Sequence, residues 1–298
     1  MAGSEVKRAA TRLAVGALVL NALVWGVSWW PFRQLQDHGL HPLWATALMY
    51  LMISAGLLAV HFKAWRGLVA HPQLWLLGLV AGMTNIGFNW AVTVGDVVRV
   101  VLLFYLMPAW SVLVAWLVLD EKPTIASLLR LLLAMAGVLV VLKTPASPWP
   151  VPQGAADWLA IAGGFSFAVT NSLLRKCGDT PGGARMLAMF GGSGMLALVA
   201  ALLGMQWQVV PAPSLQAAGI PVLLGLALAF VASNAALQYG AARLAAGTTA
   251  IVMLTEILFA SASSAALGAA EFTPRILLGG SLIVLAAVLA AMAPSADK

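Results

Sequence analysis

Ten stretches of mostly apolar residues follow one another along the chain. Each is close to the ~20 residues that an α-helix needs to cross a bilayer. They run over about 12–33, 43–62, 73–94, 97–119, 124–142, 155–176, 183–203, 217–240, 244–268 and 274–293. Hydrocarbon offers no water to a bare N–H or C=O, so spanning segments must pair their own backbone, as a helix does. Hydrophobic residues make up 62% of the chain and charged residues 9%. A soluble domain runs at about half and a quarter, and one core cannot hide the excess. The sequence therefore predicts an all-α membrane protein with ten transmembrane helices, here called spans 1 to 10.

Proline marks the edges of these stretches. Pro42, Pro72, Pro123 and Pro274 stand at starts, where the missing N–H costs little. The segment Thr144 to Gln153 holds four prolines and cannot be helical throughout. It is the natural linker between a first unit, 1–143, and a second, 154–298. Lys7, Arg8 and Arg12 before an apolar run resemble a signal peptide. That run continues through Trp25, Trp29 and Trp30 without a clear small-residue cleavage site, so it is read as span 1.

Charge orients the spans. With the N-terminus in the cytoplasm, twelve of the sixteen Lys and Arg fall on the inside and four, Arg33, Arg99, Lys143 and Arg275, on the outside. This is the positive-inside asymmetry, and it puts both termini in the cytoplasm. The net charge of +6 is scattered between apolar runs, which points to topology rather than to nucleic acid. Membrane lipid is the expected surround. The single Cys177 excludes an intrachain disulfide and a thiolate metal cage. His38, His41, His61 and His71 show no ligand spacing, and no Gly-Lys-Ser phosphate loop exists, so neither a metal, a cofactor nor ATP is expected.

The two units echo each other. Trp25, Ser28 and Arg33 recur as Phe167, Thr170 and Arg175; Leu76-Leu-Gly78-Leu recurs as Leu223-Leu-Gly225-Leu; and Glu121-Lys-Pro123 has an echo in Glu271-Phe-Thr-Pro274. A repeat of five spans is odd in number, so two copies in one chain enter the membrane from opposite sides. Inverted repeats with a site at their interface are a recurring transporter architecture.

Two five-span units, with Leu106-Met-Pro108 followed by Glu121 in the first and Thr255-Glu256 followed by Glu271 in the second, resemble the EamA-type members of the drug/metabolite transporter superfamily. Ile257 stands where that family usually has proline. Within the family the chain is most similar to bacterial inner-membrane exporters of aromatic amino acids. The resemblance implies efflux of a small metabolite through a central cavity, without ATP hydrolysis by the chain and without enzymatic activity.

Glu256 is the most informative residue, because a carboxylate in mid-span is costly unless paired, protonated or wetted. It is either a cavity-facing partner for a proton or a substrate amine, or a pin between spans 9 and 4. Pro108 is either a hinge or a static kink in span 4. Asn85, Asn89 and Thr93 share one face of span 3, Ser166 and Thr170 one of span 6, and Asn234 and Gln238 one of span 8. Such stripes must face protein or water. They line a wet path or join helices. Trp25, Tyr105, Phe167 and Tyr239, with the deeper Trp90, Trp110 and Trp116, supply walls suited to flat side chains, and Ser28 joins the expected substrate-binding set. The expected substrate is an amino acid, aromatic or otherwise apolar; a drug cation or another metabolite is the alternative, and an intramembrane enzyme or a scaffold a more distant one. Gly78-x-x-x-Gly82 and the Ala184, Ala188 and Gly192 face read as close packing within one chain, so a monomer is expected.

Overall fold

A computed structural model of the chain describes residues 2–94, 97–142, 152–268 and 273–292. Those residues form thirteen helical segments and no strand. The first unit contains α1 (Ala2–Asp37), α2 (Pro42–Val60), α3 (Lys63–Ala70), α4 (Gln73–Val94), α5 (Val97–Phe104), α6 (Met107–Leu119) and α7 (Ile125–Leu142). The second contains α8 (Ala155–Lys176), α9 (Gly182–Gln206), α10 (Gly219–Ala241), α11 (Ala246–Met253), α12 (Glu256–Ala266) and α13 (Pro274–Ala291). Lys143, most of the linker, Glu271 and Lys298 lie outside the described residues, as does the side chain of Thr93.

Among the described residues, seven helical runs are long and apolar enough to cross a membrane, with α11 and α12 counted as one of them. The bent pair α3 and α4 makes an eighth. The Leu-rich outer faces of α7 and α13, including Leu129, Leu132, Leu277 and Leu278, are exposed, as lipid contact requires.

Local chemistry sets the helix ends. The His41 ring accepts from the Leu43 N–H at 3.2 Å, and Pro42 opens α2. Thr124 and Ser127 exchange hydrogen bonds before α7, the Ser127 N–H donating to Thr124 Oγ1 and the Thr124 N–H to Ser127 Oγ. This reciprocal cap satisfies two donors of the first turn. Gly39, at φ +89°, makes the turn after α1.

Three elements depart from the sequence reading. The segment after span 2, expected as a loop, contains α3, which meets α4 at 100°. It is too short to span, but Ala64 and Leu68 are buried while Trp65 and Val69 are exposed. It is therefore amphipathic, with one side packed on the bundle and the other outward. Spans 4 and 9, expected to be continuous, are each broken. The first breaks at Tyr105–Leu106 and the second at Leu254–Thr255. At both, hydrogen bonds shorten to the tighter i→i+3 pattern: Leu106 N–H to Leu103 O at 3.3 Å, Leu254 N–H to Ile251 O at 3.2 Å, and Thr255 N–H to Val252 O at 3.1 Å. Pro108 does not kink a running helix as expected. It is the second residue of α6, where its missing N–H is no loss.

Several contacts between the two halves of the chain are mirrored, although α4 on α9 is far more extensive than its counterpart, α2 on α10. Helix α4 lies on α8, and α1 lies on α10. Helix α6 lies on α8, and α1 lies on α12. Helices α2 and α9 pair with each other, as do α7 and α13. Backbone closeness between α4 and α9 comes from the small-residue faces read in the sequence. A Cβ on Gly78 would stand 2.6 Å from the Ala188 carbonyl oxygen, and one on Gly82 2.9 Å from that of Gly192. Both faces are thus used inside the chain.

Candidate functional site

The mirrored packing encloses a cavity at the centre of the molecule, lined by α1, α2, α4, α5, α6, α8, α9, α10, α11 and α12. Its volume open to the centres of water molecules is about 80 Å³, enough for several waters at the ~10–15 Å³ that one requires.

Seven aromatic residues contribute to its wall. Trp25 meets Phe230 edge-on at 4.7 Å between centroids, and Tyr50 meets Phe190 at 5.1 Å and Phe230 at 5.8 Å. On the other side Phe88 meets Phe104 at 4.8 Å, and Phe167 closes the row. Edge-to-face contacts fix these rings against one another. They present a rigid apolar surface.

Polar groups interrupt the wall at defined points. The Tyr50 hydroxyl donates to Asn85 Oδ1 at 3.3 Å, and Asn85 Nδ2 donates to Ser193 Oγ at 3.0 Å and to the Ala81 carbonyl at 2.9 Å. Asn89 Nδ2 donates to Thr46 Oγ1 at 2.9 Å. Asn21 Nδ2 donates to the Ser233 hydroxyl at 2.6 Å and carbonyl at 2.9 Å. These bonds join α1 to α10 and α4 to α2 and α9, so stripe residues serve both as helix ties and as cavity lining.

Glu256 opens α12 immediately after the second break and lines the cavity. Its carboxyl is hydrogen-bonded to the hydroxyl of Tyr105, which sits in the first break. The bond therefore joins the two breaks. Gly26 on α1 lets this segment approach: a Cβ there would stand 2.7 Å from the Glu256 carbonyl oxygen.

Of the residues singled out in the sequence, Trp25, Asn85, Asn89, Phe167, Thr170, Asn234 and Glu256 line the cavity. Tyr105 stands directly behind Glu256 and is 5% exposed. Ser28 bonds back to the Trp25 carbonyl at 2.7 Å and does not reach the lining. Gln238 is one turn beyond it, bonded to Asn234 and Arg185. Tyr239 lies outside the cavity, its ring 3.7 Å under the Arg243 guanidinium. Trp90 stacks on Trp207, Trp110 packs on Phe165, and Trp116 is exposed. Pro108 is buried in α6, outside the lining. The sequence reading missed Asn21, Tyr50, Phe88, Phe104, Phe190, Ser193 and Phe230. Asn21 was within reach, one helical turn before Trp25 and on the same face.

At one end of the bundle the turn after α6 meets the end of α8. Arg175 Nε and Glu121 Oε1 are 3.0 Å apart. Two residues on, the Cys177 thiol is buried, and burial pushes it above its usual range, with Arg185 and Lys176 opposing. A part-exposed ion pair contributes only ~0–1 kcal/mol. Glu121→Gln should therefore leave the melting temperature within a few degrees. It should speed maleimide labelling of Cys177 several-fold if the pair holds this end shut. Labelling of the parent protein should be slow at neutral pH and rise with pH as thiolate forms. An identical rate in the two proteins would show that the pair closes nothing.

Apolar helices packed around a partly aromatic cavity define a multi-pass membrane protein. Residues 12–143 match the model of the EamA-like transporter family, which supports over that stretch the resemblance read from Leu106-Met-Pro108 and Glu121. Among solved structures, a crystal structure superposes with a TM-score of 0.76 at 18% identity, covering 95% of this chain and 97% of that one. At that identity the likeness speaks for the fold alone. No curated protein matches the chain.

Proposed function

We propose that this protein is a secondary exporter of amino acids, aromatic and other apolar ones, in a bacterial inner membrane. The carrying observation is the cavity itself: rings stacked edge to face around one carboxylate and a set of side-chain amides. Flat side chains fit the rings, while an ammonium fits Glu256 and a carboxylate fits amide donors. The substrate-binding set is Trp25, Asn85, Asn89, Phe167, Thr170 and Glu256, with Tyr105 and Gln238 supporting it from behind or from the cavity's end.

The architecture proposed is ten spans in two inverted five-span units, 1–143 and 154–298, joined by 144–153, with both termini in the cytoplasm. Mirrored packing of α4 on α8 and α1 on α10 supports it, as do the matching breaks in spans 4 and 9. On this count α8 and the broken pair α5–α6 complete the ten. Exchange of conformation between the units opens the cavity to each side in turn. The Glu121–Arg175 pair then lies on the cytoplasmic side. The chain works as a monomer.

Purified protein in liposomes tests the reading with labelled tryptophan, phenylalanine, threonine and a drug cation, each with and without a pH gradient. Tryptophan and phenylalanine should enter faster than in empty liposomes. If no amino acid does, the proposal fails. Rings and a carboxylate also suit a cation, and passage of the cation alone would establish that second reading.

A further inference from the structure

One amide in the cavity wall has its direction fixed from outside the cavity. Arg185, in the first turn of α9, donates through Nη1 to the carbonyls of Cys177 at 2.7 Å and Gly178 at 2.5 Å. Its Nε donates to Gln238 Oε1 at 3.1 Å. A guanidinium carries donors and no acceptor, so Gln238 must turn its oxygen toward Arg185 and its NH₂ away. That NH₂ donates to Asn234 Oδ1 at 2.6 Å. Gln238 is 4% exposed, which leaves it little water to pair with instead. Asn234, which lines the cavity, is then left with its own NH₂ as the free end. That group is 3.5 Å from the sulfur of Met189, and a thioether is a weak acceptor.

We propose that Arg185, Gln238 and Asn234 form a polarity relay. Arg185 and Gln238 are positioning residues, and Asn234 is the fixed N–H donor that receives the carboxylate of the bound solute. The inference rests on reading the cavity as an amino-acid site, and it adds which end of the molecule goes where. The carboxylate points to α10, and the ammonium to Glu256 at the start of α12. Met189 is unbranched and flexible, so an incoming carboxylate displaces its sulfur easily. Other amides of the wall are better engaged: Asn85 Nδ2 serves a hydroxyl and a carbonyl, and so does Asn21 Nδ2.

The direction of the relay makes it testable by reversal. In Gln238→Glu both carboxylate oxygens accept, so the pair with Arg185 survives. Asn234 must then donate to position 238 and present its oxygen to the cavity. Binding of tryptophan, tryptamine and 3-indolepropionate would be measured on the full-length purified protein and on the variant. Expected is a loss of about tenfold or more for the two carboxylates, with tryptamine held within about twofold. Asn234→Asp, which also replaces the donor, should show the same selectivity, and melting temperatures identify any variant that fails to fold. An equal loss for all three ligands in both variants, or no loss in either, overturns the relay. Binding of tryptamine without either carboxylate to the parent protein, or of none of the three, overturns both the relay and the amino-acid reading. Binding of 3-indolepropionate but not tryptophan, selectively weakened in Gln238→Glu, overturns the amino-acid reading and upholds the relay.

Discussion

Replacing Glu256 by glutamine is expected to lower tryptophan uptake into liposomes holding the pure protein by between about tenfold and a hundredfold. That is the worth of one hydrogen bond to a charged group, ~1.5–3 kcal/mol. Glutamine keeps the size of the side chain and its bond to Tyr105, so the wall and the junction of the two breaks persist. What is lost is the charge that faces an ammonium. Tyr105→Phe gives the complementary result. It removes the bond between the breaks and keeps the carboxylate, so it should affect melting more than substrate selectivity. If Glu256→Gln transports normally at every pH, the carboxylate has no part in substrate binding or in proton exchange.

The second large effect is on folding. In Gly192→Leu the new side chain would enter the backbone of α4 at Gly78. Backbone cannot rotate away as a side chain can, so one of the most extensive contacts between the units must open. Overpacking of this kind costs typically 1–3 kcal/mol and at times more. At ~3 kcal/mol the melting temperature should fall by roughly 6–12 °C, with a matching fall in membrane-inserted yield. At Gly56 and Gly225 an added Cβ would meet nothing within 4 Å. Leucine at either should be tolerated. A melting temperature unchanged in Gly192→Leu would mean that α4 and α9 do not touch as described.

The course of the helices was legible in the sequence because long apolar runs have few alternatives in a bilayer. Spans 2, 5, 8 and 10 fall within a few residues of α2, α7, α10 and α13. The break at Leu254–Thr255 left no such trace. It has neither proline nor glycine, and its geometry depends on the Thr255 hydroxyl bonding the Val252 carbonyl and on Gly26 opposite. Helix α3 was lost because eight residues carry too little periodicity to stand out. In the cavity, Asn85, Asn89 and Glu256 were legible because polar atoms contrast with apolar surroundings. Phe88, Phe190 and Phe230 were not, since a phenylalanine facing the cavity and one facing lipid look alike in sequence. Tyr239 shows the opposite failure. Its neighbour Gln238 belongs to a polar stripe, but that stripe has left the cavity by this turn and runs on to Arg185.

The two helix breaks also differ in what they permit. Pro108 has no N–H to give to the Phe104 carbonyl, so the ladder across the first break can never be completed. Every residue at the second break carries its N–H, and α11 and α12 are free to join into one straight helix. The first joint is therefore written into the covalent chain by a single missing hydrogen, whereas the second is held only by what packs and bonds around it.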